Sequence, residues 1–193
     1  MPQQLAYVIV TPYSLYKSRT GGILSRLISR TGLNLAAMRM FAPGDELAKE
    51  YAENIVSAHD SHERKIQELL RDYVSKNLSP DPKTGLRRRV LMMVFSGDEA
   101  VRKVRSVVGN LSLDRRGGET IRDTYSDLIL DENGQVRYFE PAVLTAPNEV
   151  EAEAKLKLWP RYSDSDGGLL EKVIRHPAGE KIERTLVLIK PDN

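Results

Sequence analysis

The chain has 193 residues, 40% of them apolar and 29% charged, which suits one packed domain, or one domain with a fragment of another, under a soluble surface. No apolar run approaches the roughly 20 residues of a bilayer span, and Met1-Pro2-Gln3-Gln4 carries no signal-like stretch. The absence of cysteine excludes disulfides and thiolate metal sites and agrees with a cytoplasmic setting, while a net charge of +2 is too balanced to specify a partner.

Residues 5 to 11 form a short, β-branched apolar run ending at Pro12, the pattern of a buried strand. After a polar loop with Gly21 and Gly22, Ile23, Leu24, Leu27 and Ile28 recur at helical spacing, and Gly32 stops the helix. Leu33 to Phe41 reads as a strand with Leu33, Leu35 and Ala37 on one face. Pro43-Gly44-Asp45 opens a helix from about Glu46 to Ser57, and His59 to Asn77 is a second, with Ile66, Leu69, Leu70 and Tyr73 as its apolar stripe. Residues 78 to 85 are rich in breakers. Arg89 to Phe95 is the strongest strand pattern, followed by a helix over Asp98 to Val108 with Gly109 as its stop. Ser126 to Phe139 reads as a hairpin around Asn133-Gly134. Ala142 to Leu144 continues as strand, Glu149 to Leu158 as helix, and Asp164 begins a linker-like tail. The order of elements is that of a ferredoxin-like βαββαβ unit: a four-stranded antiparallel sheet with helices packed on one face, plus an inserted hairpin.

Several residues invite a site reading and have a plainer one. His59 and His62 stand three apart, a spacing that can ligate zinc given further ligands; the N-terminus of a solvated helix explains them more simply. Arg87-Arg88-Arg89 could meet nucleic-acid phosphates. The run is short, it precedes a buried strand and aromatic residues are few, so it reads as a solvated strand entry and no nucleic-acid partner is expected. The stretch from Lys83 to Arg122 is nevertheless basic, with ten Lys/Arg against four Asp/Glu. Asp164-Ser165-Asp166-Gly167-Gly168 lacks the spacing and terminal glutamate of a calcium loop and reads as a loop. His176-Pro177 reads as linker.

Near the C-terminus, Arg184-Thr-Leu-Val-Leu-Ile189 runs as an apolar strand into Lys190-Pro191-Asp192. This resembles the opening strand of the nucleoside diphosphate kinase family, whose K-P-D lysine approaches the nucleotide phosphates. Tyr7-Val-Ile-Val-Thr-Pro-Tyr13 repeats the pattern with Thr11 at the lysine and Tyr13 at the aspartate. Gly21 to Arg30 resembles the family's first helix, Gly32 to Phe41 its second strand, and Lys49-Glu50-Tyr51 part of the following helix. Gly118-Glu-Thr-Ile-Arg122 is similar to its P-G-T-I-R segment, and Arg105, seventeen residues earlier, falls at its other phosphate arginine. Leu156 to Trp159 resembles the end of the helix after the catalytic histidine.

The resemblance implies the ferredoxin-like fold and, at Arg105 and Arg122, two residual phosphate-binding residues. It also implies that phosphotransfer is lost. Counting back from Leu158-Trp159 puts Leu144 at the position of the family histidine and Pro141 at that of its asparagine, and no histidine lies between His62 and His176. Leucine has no lone pair with which to attack phosphorus. The family's phosphate-contacting threonine aligns with Leu111, and its nucleotide-clamping tyrosine and arginine align near Ala52 and Ala58.

Residues 1–163 are therefore expected to form one altered copy of the family domain, 164–183 a linker, and 184–193 the first strand of a second copy. The chain is expected to be a structural, oligomerisation or regulatory half of a tandem protein, partnered by that second domain and by further copies of itself. Any kinase activity would then belong to the second copy. The alternative is a module that holds a nucleotide or another phosphorylated ligand on Arg105 and Arg122. Magnesium and ATP or ADP are implied only in that case, and no metal is implied otherwise. Thr185 to Ile189 is expected to be disordered or to join another sheet.

Overall fold

The apolar run at the start of the chain is strand β1 (Gln4–Val10), and its residues Ala6 to Val10 are all buried. Side chains alternate between the two faces of a strand. Five consecutive buried positions thus require cover on both faces, which corrects the expectation of helices on one face alone. The computed structural model describes residues 3–53, 55, 61–111, 118–133, 135–168, 172–183 and 185–188, with the backbone alone for 61–63.

Three further strands complete the main sheet: β2 (Asn34–Phe41), β3 (Val90–Gly97) and β6 (Val143–Leu144). Their order is β2-β3-β1-β6, with every neighbouring pair antiparallel. This is the four-stranded antiparallel sheet of the ferredoxin-like α+β arrangement. β4 (Asp127–Leu130) and β5 (Val136–Glu140) pair separately as the inserted hairpin. Its turn is wider than a two-residue loop: the Asp131 amide donates to the Gln135 carbonyl, and the Asp131 carboxylate accepts from the amides of Asn133 and Gln135. Gly134 lies outside the described residues.

The helices are α1 (Pro12–Tyr16), α2 (Thr20–Thr31), α3 (Asp45–Glu53), α4 (Ser61–Asn77), α5 (Ala100–Val108), α6 (Ile121–Tyr125), α7 (Glu149–Arg161) and α8 (Ser163–Asp166). None of the described helices is long and apolar enough to cross a membrane. Gly32 ends α2 at φ 63°, the left-handed cap that glycine adopts without penalty. The short helices α1 and α6, unforeseen from periodicity, begin at threonine caps: Thr11 accepts from the Ser14 amide, and Thr120 forms a reciprocal capping box with Asp123. α3 ends at Glu53 rather than Ser57, whose position is not described. α7 runs past Leu158 to Arg161.

β2 departs from its expected pattern. Leu33 is buried, but positions 34 to 39, which alternate between the two faces, are all exposed: β2 is an edge strand, and a bulge between Leu35 and Ala37 shifts its pairing with β3. The stretch after Trp159 differs as well. Residues 163 to 166 form a helical turn rather than a loop, and Asp166 is buried. Its carboxylate accepts from Arg87 Nη1 and from the Gly44 amide, each at 2.9 Å, and its carbonyl accepts from the Ala42 amide at 2.7 Å. This turn pins the β2–α3 corner. Beneath it, Trp159 is fully buried and meets Phe41 and Tyr51 edge-on at 5.0 and 5.6 Å, contacts worth about 0.5–1.5 kcal/mol each. Thr185 to Leu188 forms no strand among the described residues, and Leu186, Val187 and Leu188 are exposed.

Candidate functional site

A cavity of about 290 Å³ opens where the inner strand meets five helices. β1 contributes Tyr7, α3 Tyr51, α5 Arg105, α6 Arg122, β6 Leu144, and α7 Glu151 and Lys155. Ile66 and Leu70 of α4, with Ile55, Leu111 and Pro147, give it apolar walls. The three positions singled out from sequence, Arg105, Arg122 and Leu144, all line this one space.

The fold places each of them for a local reason. Arg122 follows Ile121, whose fully buried side chain anchors the single turn of α6. Arg105 lies on the last turn of α5, where a cation is favoured beside the helix carbonyl end. Gly109, at φ 84°, then turns the chain so closely past Thr120 that a Cβ there would stand 2.3 Å from the threonine hydroxyl. That contact brings the ends of α5 and α6, and so their arginines, to one wall.

Arg122 is only 6% exposed. Nη1 donates to the Gly109 carbonyl at 2.7 Å and Nη2 to the Val143 carbonyl at 3.5 Å, whereas its buried Nε has no hydrogen-bond partner. Among the described residues it makes no ion pair. Burial, reinforced by the neighbouring Arg105, pushes its guanidinium down to about 9. A buried cation without a counter-charge is costly, and an anion in the cavity would supply the missing partner. Arg105 is half-buried and, among the described residues, holds only a long contact to Asn110 Oδ1, 3.4 Å.

Lys155 was not anticipated. It is 3% exposed; its Nζ donates to the Tyr51 carbonyl at 2.9 Å and stands 4.6 Å from the centre of the Tyr51 ring. Burial pushes its amine down to about 8, with Glu151 opposing the shift. The sequence did carry a signal: Ala152, Lys155 and Trp159 follow one another at spacings of three and four along the buried stripe of α7, so a lysine occupies a core-facing position. Tyr7 and Tyr51 face each other across the floor, hydroxyl to hydroxyl at 3.3 Å, and burial raises both phenols.

Thr11 and Tyr13 do not take part. Thr11 is wholly buried, and its hydroxyl donates to the Ala142 carbonyl at 3.0 Å. Tyr13 packs edge-on against Tyr138 in the hairpin at 6.5 Å, with the Arg19 guanidinium 5.1 Å over its ring. Ala52 is core, Leu111 is cavity wall, and Ala58 lies outside the described residues, as do the side chains of His59 and His62. Arg87 and Arg88 are held by Asp166 and by the Lys76 carbonyl, in keeping with the structural reading of that run.

Comparison with known proteins gives the same answer from three directions. A family model, nucleoside diphosphate kinase, matches residues 4–135. The nucleoside diphosphate kinase of Pyrobaculum aerophilum is 27% identical over 188 residues, covering 85% of this chain and 98% of that protein. A Borrelia burgdorferi nucleoside diphosphate kinase, solved as a transition-state mimic with vanadate and ADP, aligns at a TM-score of 0.61. It is 23% identical, over 81% of this chain and 86% of that one. The solved Pyrobaculum aerophilum NDP kinase aligns at a TM-score of 0.59 and 20% identity, over 82% and 96%.

Proposed function

Since the chain belongs to the nucleoside diphosphate kinase family, we propose that its described domain is a non-transferring member, which holds a phosphorylated ligand on Arg105 and Arg122 and passes no phosphoryl group on. The observation that carries this reading is Arg122: a buried guanidinium facing a cavity, with one nitrogen unpartnered and no carboxylate against it among the described residues. Leu144, 3% exposed, occupies the wall where the family resemblance puts a histidine. Its isobutyl group fills that place without offering an electron pair.

The larger protein follows from this division of labour. The binding domain runs to 168, since Asp166 is buried against Arg87 and Gly44; the residues after it to 183 are the linker, and 184–193 the start of a second copy, which would carry any phosphotransfer. This domain then serves as the structural or regulatory half of a cytoplasmic, homo-oligomeric tandem protein.

Two measurements test the reading. Incubation with labelled ATP should leave no acid-labile phosphohistidine; stoichiometric, base-stable label would overturn it. Calorimetry with Mg-ADP and with inorganic pyrophosphate should show binding weakened at least about tenfold by Arg105→Ala, the loss of one charge-assisted contact of about 1.5–3 kcal/mol. Binding indifferent to that change would place the site elsewhere.

A further inference from the structure

Lys155 brings to the cavity a chemistry that phosphate holding alone does not use. We infer that the site captures small phosphorylated aldehydes or ketones: the phosphate rests on Arg105 and Arg122, and Lys155 Nζ condenses with the carbonyl carbon to give an imine. This rests on the proposed phosphate-holding role of the two arginines.

Three observations carry it. Lys155 lines the same cavity as both arginines, yet it is nearly inaccessible from outside. Its Nζ is steered by one donated bond, to the Tyr51 carbonyl at 2.9 Å, and it makes no ion pair among the described residues. A volume of about 290 Å³ suits a ligand of a few carbons or one ring rather than a large molecule, being at the lower end of ligand sites.

The groups facing the amine set its charge. Arg105 and Arg122 are cationic, the raised phenols of Tyr7 and Tyr51 stay neutral, and Glu151, one turn earlier on α7, is the opposing carboxylate. Burial outweighs Glu151, so the amine titrates at about 8. About one lysine in ten is then unprotonated at pH 7, against about four in ten thousand for an ordinary lysine. The condensation balances without a redox partner. The Nζ lone pair attacks the carbonyl carbon and the C=O π electrons move to oxygen. That oxygen then leaves as water, carrying the two protons given up by nitrogen.

The test uses the full chain, pyridoxal 5′-phosphate as probe, borohydride to fix any imine, and peptide mapping by mass. Lys155 should be labelled at least about tenfold faster than any other lysine, with a half-maximum near pH 8. Inorganic pyrophosphate should protect it, and Arg122→Met should slow it. Lys155→Arg, which keeps the charge and cannot form an imine, should abolish that label and still bind pyrophosphate. Label scattered over exposed lysines, label at the same rate with unphosphorylated pyridoxal, or label unchanged in Lys155→Arg overturns the inference. If pyrophosphate binds through Arg122 while Lys155 stays unlabelled, only this inference falls. If pyrophosphate does not bind at all, the phosphate-holding reading falls first.

Discussion

Replacing Arg122 with methionine should make the unliganded protein more stable while removing its response to phosphate. The guanidinium sits at about 9 instead of its ordinary 12.5, a displacement equivalent to about 5 kcal/mol borne by the folded state. Methionine has similar reach and no charge to bury. It forfeits the bonds to the Gly109 and Val143 carbonyls, a loss of about 2–3 kcal/mol with the second contact long and weak. The balance favours the variant by about 2 kcal/mol, in line with the general finding that a buried charge can be exchanged for a well-packed apolar group without loss. For a chain of this size that is a rise in Tm of about 4–8 °C. Thermal unfolding by circular dichroism, with and without pyrophosphate, reads both effects. The wild type should gain stability with pyrophosphate, and Arg122→Met should start higher and not move. A lower Tm in the variant together with an undiminished pyrophosphate shift would mean that Arg122 is a structural strut, and the reasoning would fail.

Lys155 has a folded-state value below its unfolded one, so the folded protein loses that proton first and stability should rise from about pH 8 towards pH 10. Urea titrations across that window should show the rise flattened in Lys155→Met; a wild-type curve that falls there contradicts the assignment. Above pH 10 the raised phenols of Tyr7, Tyr51 and Tyr73 should reverse the trend, since the unfolded chain ionises before the folded one. Asp166→Ala breaks the contacts to Arg87 and Gly44 and should cost about 2–3 kcal/mol in chemical denaturation, a loss below 0.5 kcal/mol counting against the pinned corner. Ending the chain after Ser163 should leave a folded domain with at least that deficit, because the Ala42 amide loses the Asp166 carbonyl as well, whereas ending it after Gly168 should lose only the Arg87 amide bond to the Lys172 carbonyl; failure of the longer piece to fold would move the domain boundary.

The elements that depend on neighbours in sequence were legible. β1 and β3 stand out as apolar β-branched runs, and Gly32 and Gly109 end their helices where the chain needs a left-handed turn. The elements that depend on distant partners were not. Asp166 looks like a loop residue until Arg87 and Gly44, 79 and 122 positions away, are brought against it. Leu35 and Ala37 were read on one face with Leu33, and neither the bulge between them nor the exposure of both faces of this edge strand leaves a mark in the apolar pattern. In the site, Arg105, Arg122 and Leu144 came from the order of motifs along the chain. Lys155, Tyr7 and Tyr51 required the packing of α3 and α7 against β1, because a lysine or tyrosine acquires its character from what excludes water around it.

The carbonyl of Ala142 decides what position 11 can hold. Three donors converge on it: the Thr11 amide at 3.2 Å, the Thr11 hydroxyl at 3.0 Å and the Ser14 hydroxyl at 2.9 Å. A carbonyl has two lone pairs, so the knot is shared, and Thr11 supplies most of it. A lone Thr11→Lys substitution would withdraw the hydroxyl, undo the cap of α1 and force a long chain into a position with no exposed surface. Glu140, buried beside Thr11 and bonded by Tyr73 at 2.6 Å, would capture the new ammonium before any ligand could. A lysine at position 11 therefore fits this fold only with several other changes made at once.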